Sequence, residues 1–599
     1  MMKKKLLEKF IDWCLVLVYS KNKKIERNLI VLLVIGFFLR LISALNLGVL
    51  ADDMLYASQS AGIIGSGIIS THSNPPLFLY LTDLSYNLLG YSTFASRFFP
   101  LIMGTLLILV MYLLSRELFD KRVALFVAFL ITFSTHLIRT TFTEASNIIF
   151  FLAFLGIYCG IKYLKTEKLK DLILAAVYFG LATLTKYNAP FYVLAFLLFG
   201  IYKFKSEKKE IFSKTNFKRI SIFLLIIFML SLPFLAFNFI LQKDKGIIDV
   251  YFSRIIGSEK TQKLYSGLAG QKNSFFENMV SASTYRNLNL TYITDPLIFI
   301  LALGGIFLVI KNKKKEQGFF LLIFFIVPYI LQSSGSSLQK HFLFMPLLFS
   351  ILAGYFLAEI FIKINHKFFK KAIILTLIIF FLICIGNSSG TPPNYFSQSE
   401  SSQLKNFINE NVEENDLLVF DTRIYTAESF WYATPHHLLS FHQFIDFYNQ
   451  NQKLENKQEV KIYVVECVED DCGWGWVKNK PEFNSSSEEI LSKLIEIGKK
   501  EVTISSYDYG SNELLGNKEK NEKFRVYSFN TFLNPNAVEQ TDKLNNFYFA
   551  PYLYKNLDNY AYNYGLTGIN WILHNISLII IYLSLFLIVL SIFYAILLI

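Results

Sequence analysis

Charge is what this chain has little of: only 17% of its 599 residues are Asp, Glu, Lys or Arg, while 53% are hydrophobic. That balance excludes an ordinary soluble globular protein of this length and makes a membrane protein the first expectation. Cysteine is scarce as well, five in all, which excludes a disulfide-stapled scaffold. Cys14, Cys159 and Cys384 lie in apolar stretches, and only Cys467 and Cys472, flanking Val-Glu-Asp-Asp, sit in polar sequence. These two fit a bridge or a pair of free thiols equally. A metal there lacks a second cysteine pair or a nearby histidine. No glycine-rich phosphate loop is present, so nothing in the sequence supplies a nucleotide-sugar site. Internal repeats are absent too. Tryptophan is limited to five residues, and the aromatic content comes instead from 60 Phe and 34 Tyr, a packing and lipid-facing inventory with no specific function attached.

The net charge of +12 is unevenly placed, since residues 388–569 hold 16 Lys and Arg against 26 Asp and Glu. A basic membrane part with an acidic domain follows, and nucleic acid is not an expected partner. Runs long enough to span a bilayer begin near Asn28, Ser96, Arg122, Glu144, Lys170, Tyr187, Arg219, Pro296, Gly318, His341, Ala372 and Ile572, about twelve helices. Loops alternate between two sides. Segments 3–27, 116–122, 162–170, 203–219, 311–315 and 363–371 together carry 30 Lys and Arg, whereas loop 49–94 carries none. The bias puts the N-terminus in the cytoplasm, and loop 49–94 with residues 388–569 outside, in a multi-pass protein of the cell membrane.

Four parts follow. Residues 1–27 are a cytoplasmic amphipathic segment, and 28–387 form the membrane domain. Residues 388–569 form an extracytoplasmic α/β domain, and 570–599 carry a final spanning helix. Within the acidic domain Asp416–Asp421, Lys461–Glu466, Val502–Ser506 and Lys523–Phe529 read as strands, and Gln403–Asn411 and Glu488–Lys500 as helices.

The residues able to do chemistry cluster at the outer ends of the helices. Loop 49–94 opens with Asp52-Asp53-Met54-Leu55-Tyr56-Ala57 and has no basic residue to pair the two acids. One of them capping the segment Met54–Ile64 is the structural reading; a general base beside a metal-binding or acceptor-orienting acid is the functional one. Glu144 at the start of a later helix has the same two readings, and Lys186 at a helix end either snorkels or meets an anion. Arg40, inside the first helix, has no evident assignment.

These residues come in an order that resembles the family-39-type GT-C glycosyltransferases, the group of protein O-mannosyltransferases and the lipid A aminoarabinose transferase. In that family the first outer loop carries Asp-Glu-x-x-Tyr-Ala, His-Pro-Pro-Leu and Ala-x-Arg-Leu-Pro. Here Asp52 falls on the family's catalytic aspartate, Asp53 on the next acid, and Tyr56 on the tyrosine. Asn74-Pro75-Pro76-Leu77 and Ala95-Ser96-Arg97 supply the rest, with Asn74 in place of the histidine and His72 two residues earlier. Arg139 to Ala145 brings Glu144 to the position of a second outer acid. Gly180 to Lys186 resembles the family's Gly-Leu-x-x-Leu-Thr-Lys turn, and Gln339-Lys340-His341 with Pro346 resembles its Lys-x-x-Tyr-x-Leu-Pro segment. The resemblance covers 28–210 well and 330–360 loosely.

It implies a polytopic helical GT-C membrane fold with an outer α/β domain, and an inverting transfer of one sugar from a polyprenyl-phosphate carrier to a protein, lipid or glycan acceptor. Asp52, Asp53 and Glu144 would be the catalytic acids. Lys340, His341, Lys186 and Arg139 would face the donor phosphate, and Tyr56, His72 and Arg97 would contact substrate. It implies no definite cofactor, and carboxylates gathered on one face can hold a divalent ion or share a proton. A polytopic transporter, or a scaffold binding lipid-linked glycans, is the competing class. A transporter would place charged groups mid-helix rather than at helix ends.

Overall fold

The computed structural model describes residues 25–46, 53–69, 75–141, 143–208, 210, 213–249, 295–335, 342–388, 400–421, 423–424, 426–451, 458–468, 492–507, 520–534, 536–544 and 565–597. The chain enters with α1 (Ile25–Asn46) and then lays down three short helices, α2 (Asp53–Ser60), α3 (Ile63–Ser66) and α4 (Leu77–Leu89). Long apolar helices follow: α5 (Thr93–Leu118), α6 (Lys121–Phe133) with its one-turn continuation α7 (Thr135–Arg139), α8 (Ser146–Thr166), α9 (Leu169–Thr185), α10 (Pro190–Ser206) and α11 (Lys214–Lys245). The membrane domain closes with α12 (Pro296–Lys311), α13 (Lys315–Gly335), α14 (Phe344–Lys363) and α15 (Lys367–Ser388).

Every apolar run anticipated from the sequence is a helix, each within a few residues of its expected start. Among the described residues, seven helices have by themselves the length and hydropathy to cross a membrane. Two of the breaks between the shorter helices have identifiable causes. Ser134, in extended conformation, ends α6, and its hydroxyl accepts from the Leu137 amide to restart the chain as α7. Pro190 at the first position of α10 separates it from α9.

α5 and α8 are buried over nearly their whole length, whereas α11 and the last helix, α20 (Ile569–Leu597), leave large apolar side chains such as Leu225, Phe228, Phe586 and Phe593 exposed. Exposed apolar stripes on otherwise packed helices are what a lipid-facing rim requires. α20 packs against α11, α4 and α5, returning the end of the chain to the first half of the bundle.

Between α15 and α20 lies a separate sheet domain. Its elements are α16 (Glu400–Asn411), β1 (Leu417–Phe420), α17 (Thr426–Ala433), β2 (His437–Ser440), α18 (Phe441–Asn451), β3 (Gln458–Cys467), β4 (Lys499–Tyr507), β5 (Lys520–Leu533) and α19 (Ala537–Leu544). The strand order is β2-β1-β3-β5-β4, parallel for β1 with both neighbours and antiparallel for β3 with β5 and for β5 with β4.

Period-two alternation sorts the central strands between two cores. Leu417, Val419, Ile462 and Val464 face the core built with α18 and α19, while Leu418, Phe420, Tyr463 and Val465 face the one built with α16 and α17. Both faces of β1 and of central β3 are therefore apolar, as in a covered sheet. The expected helix at Glu488–Lys500 is shorter among the described residues. It spans 492–497, and Lys499 already belongs to β4, where pairing with β5 overrides local propensity. Cys467 is disulfide-bonded, and Cys472 lies outside the described residues.

α12 and α14 cross closely at Gly305, where a side chain would be driven into the backbone carbonyl of Leu352. Gly305→Ala should therefore destabilise the purified protein by about 1–3 kcal/mol, the usual cost of overpacking, read as a lowered thermal midpoint in detergent. An unchanged midpoint would show that the α12 to α14 contact is looser than the structure has it.

Candidate active site

Two buried ion pairs meet at one turn. The first joins Asp53, the first residue of α2, to Arg97 on α5, with side chains 2% and 0% exposed. Arg97 also donates to the Ala44 carbonyl near the end of α1 at 3.0 Å, and Asp53 accepts the Thr143 amide at 2.6 Å. The Thr143 hydroxyl in turn bonds Ser96 at 2.6 Å. One carboxylate thus ties together α1, α2, α5 and the turn leading into α8. The helix-cap reading of Asp53 gives way to this network, because its oxygens go to Arg97 and Thr143.

The second pair begins one residue later. Glu144 is buried and receives Lys186, at the end of α9, whose ammonium also reaches Ser146 at 3.5 Å. Neither a capping Glu144 nor a snorkelling Lys186 describes this arrangement: α8 starts after Ala145 without a side-chain cap, and Lys186 is 6% exposed. Beyond Lys186, the Asn188 amide donates to Gln332 on α13 at 3.1 Å, continuing the polar seam toward the third quarter of the chain. Consecutive residues Thr143 and Glu144 therefore couple an acid–guanidinium pair to an acid–ammonium pair within an apolar bundle. Low local dielectric strengthens both pairs and makes each expensive to break.

Tyr56 packs edge-on against Phe78 at 5.6 Å and is 9% exposed. Arg139 ends α7, and its side chain is outside the described set, as are Asp52, His72, Lys340 and His341. The described residues hold no group of three or more His, Cys, Asp and Glu suited to a metal ion. Arg40, unassigned from sequence, lies buried mid-helix and donates to the carbonyls of Gly36 and Ile131 at 3.1 and 3.0 Å, a packing role between α1 and α6.

Four acids and bases outside the spanning helices have surroundings that local sequence does not announce. Asp83 on α4 accepts the Gly62 and Ile64 amides at 3.0 and 2.9 Å, capping α3 from a distance. Burial raises its carboxyl above the ordinary value, and the two amides oppose the rise. In the sheet domain, burial and then the neighbouring Glu400 push Glu428 up to about 8. Burial pushes the Lys405 ammonium down to about 7. Asp295, just before α12, accepts from Ser134 Oγ at 2.6 Å and from the Thr135 amide at 2.8 Å, capping α7. The Asp-Pro at 295–296 reads locally as a start signal for α12, and only the tertiary fold shows which helix the carboxylate serves.

Residues 73–236 match the family model of dolichyl-phosphate-mannose-protein mannosyltransferases. The fold aligns with ArnT from Cupriavidus metallidurans bound to undecaprenyl phosphate, at 11% identity and TM-score 0.50, covering 83% of this chain and 97% of that one. The apo form of the same protein aligns equally, at 12% identity and TM-score 0.50 with the same coverage. No curated protein matches the sequence. The chain is a polytopic helical membrane protein whose fold is similar to that of ArnT. The segment matched by the family model runs from the first loop through most of α11.

Because each buried charge depends on its partner, Arg97→Met should cost roughly 3–5 kcal/mol, leaving Asp53 uncompensated. The double variant Arg97→Met with Asp53→Asn should recover a measurable part of that loss. Thermal unfolding of the three proteins checks this, and additive losses would mean that the two side chains are not coupled.

Proposed function

We propose that this protein is an inverting glycosyltransferase that moves a single, mannose-like sugar from a polyprenyl-phosphate carrier to an extracytoplasmic protein, lipid or glycan. The observation that carries the reading is the turn at Thr143 and Glu144, which locks the Asp53 end of α2 and the lysine at the end of α9 to one another in a protein of GT-C type. The family model's description supports a mannosyl donor, and the undecaprenyl phosphate held by ArnT supports a polyprenyl-phosphate carrier.

In this mechanism Asp52 takes the proton from an acceptor hydroxyl while that oxygen attacks the anomeric carbon. The bond from carbon to phosphate oxygen breaks, its electron pair leaves with the phosphate, and the anomeric configuration inverts. Asp53 is a positioning residue, its two oxygens committed to Arg97 and the Thr143 amide, so that it fixes the start of α2. Lys186, with Lys340, His341 and Arg139, neutralises the departing phosphate. Glu144 holds the Lys186 ammonium in place until then. Tyr56 and His72 belong to the acceptor side, and Arg97 acts there through Asp53. A divalent ion held by Asp52 is the metal-dependent form of the same chemistry, tested by chelation. The site and the sheet domain face the outside of the plasma membrane and the N-terminus the cytoplasm, an orientation that rests on the Lys and Arg bias.

The purified protein should transfer label from polyprenyl-phosphate mannose, Asp52→Asn should lower the rate at least 100-fold with an unchanged thermal midpoint, and Lys186→Met should act on the chemical step as well. Retained activity in Asp52→Asn would move the base elsewhere. If a folded wild type transfers from neither the mannose nor the glucose carrier, the reading is overturned in favour of a transporter or a scaffold.

A further inference from the structure

The sheet domain shares a hydrophobic core with the first loop of the membrane domain. Met54, Ala57 and Ala61 in and just after α2, Tyr86 on α4 and Ala95 on α5 belong to the same buried cluster as Leu404, Ile408, Phe430, Trp431 and Val526. At its centre stands a column of three side chains. Tyr86 stacks on Trp431, centroids 5.3 Å apart and planes 29° from parallel, and the Lys405 ammonium lies 5.0 Å from the centroid of the same indole. Lys405 is fully buried and donates to the carbonyls of Trp431 and Tyr432 at 3.1 Å each and to that of Thr434, so it fastens the end of α17 from within the domain. Tyr86 joins this group to the membrane domain, its hydroxyl donating to the Ala57 carbonyl of α2 at 3.2 Å.

Trp431 is held by ring faces. Among the described residues its Nε1–H has no acceptor, and the ring is 0% exposed. α17 also packs directly on α2. Tyr432, the next residue, bonds Ser401 and lies within electrostatic reach of Glu428 and of Asp53 itself. A domain that only captured acceptors could hang on a flexible tether; this one is wedged against the helix that begins at Asp53.

We propose that Trp431 is a positioning residue for transfer: the column Lys405, Trp431, Tyr86 sets the seat of α2, so the sheet domain completes the active site mechanically. The catalytic half of this statement rests on the reading of the Asp53 end of α2 as the acceptor side of the site. Stacked aromatic pairs and cation–π contacts contribute modestly each, but a desolvated column with both has few alternative packings.

The test uses the full chain in lipid nanodiscs with two readouts, amide hydrogen exchange over residues 53–60 and transfer kinetics with the polyprenyl-phosphate sugar that the wild type uses. Trp431→Ala should raise exchange in α2 about tenfold or more and lower kcat by at least tenfold, with the donor KM within twofold. Trp431→Phe, which can still stack on Tyr86, should restore both to within about threefold. Tyr86→Ala breaks the column from the membrane side, and protection of β3 and β5 reports whether the sheet core stays folded. It should reproduce both effects with that protection intact. Unchanged α2 exchange in Tyr86→Ala, or a kcat that survives a loosened α2, overturns the proposal. A wild type inactive with every carrier refutes the proposed function and with it the catalytic half of this inference, whereas the exchange data then decide the mechanical half alone.

Discussion

A carboxylate cannot stand alone in an apolar helical bundle, and this molecule is arranged around that constraint at the turn of Thr143 and Glu144. Asp53 and Arg97 neutralise one another on one side of the turn, and Glu144 and Lys186 on the other. Neither pair is adjacent in sequence: 44 positions separate the first partners and 42 the second. To form both, α2 must lie across the ends of α1 and α5, and the end of α9 must return beside the start of α8. The pairs therefore demand one mutual placement of five helices. Such buried pairs are poor sources of net stability, but breaking one is costly. The packing order of the bundle is thus selected against alternatives that would strand a charge.

The same constraint explains what could be read from the sequence. The spanning helices were legible, because each spanning run must be apolar over most of its length and polar breaks between runs have physical causes, as at Ser134 and Pro190, whereas α4 and the sheet-domain helices α17 to α19 were not. The strands at 416–421 and 461–466 were legible for a related reason: both faces of the sheet are covered, so the strands read as continuous apolar runs. The four-residue β2, by contrast, looks like a loop in isolation. It exists because β1 pairs with it in parallel register.

For Asp53, Glu144 and Lys186, the helix end each occupies was legible from sequence, and their partners were not. Nothing local in Leu-Thr-Lys186 names Glu144, and Asp53 next to Asp52 reads as one of two equivalent acids until Arg97 claims one of them. The column on Trp431 is the harder case. A tryptophan in a soluble-looking helix is usually ordinary core, and only the placement of Tyr86, 345 positions earlier, gives it a second meaning.

That column bears on how such a fold tolerates a large appended domain. Two chain connections fix where the sheet domain is attached, but they do not fix its orientation. Orientation comes from a shared apolar core and one stacked ring, and it is reinforced by Asn409 donating to the Tyr91 carbonyl at 2.8 Å beside α4. A helix of eight residues such as α2 has too few internal hydrogen bonds to hold its own position. It depends on what packs against it. Here one side is the ion pair to α5 and the other is α17, so the acid at the start of α2 is gripped between the membrane bundle and the sheet domain. A helix this short keeps its place only with that two-sided support, and neither part of the chain supplies it without the other.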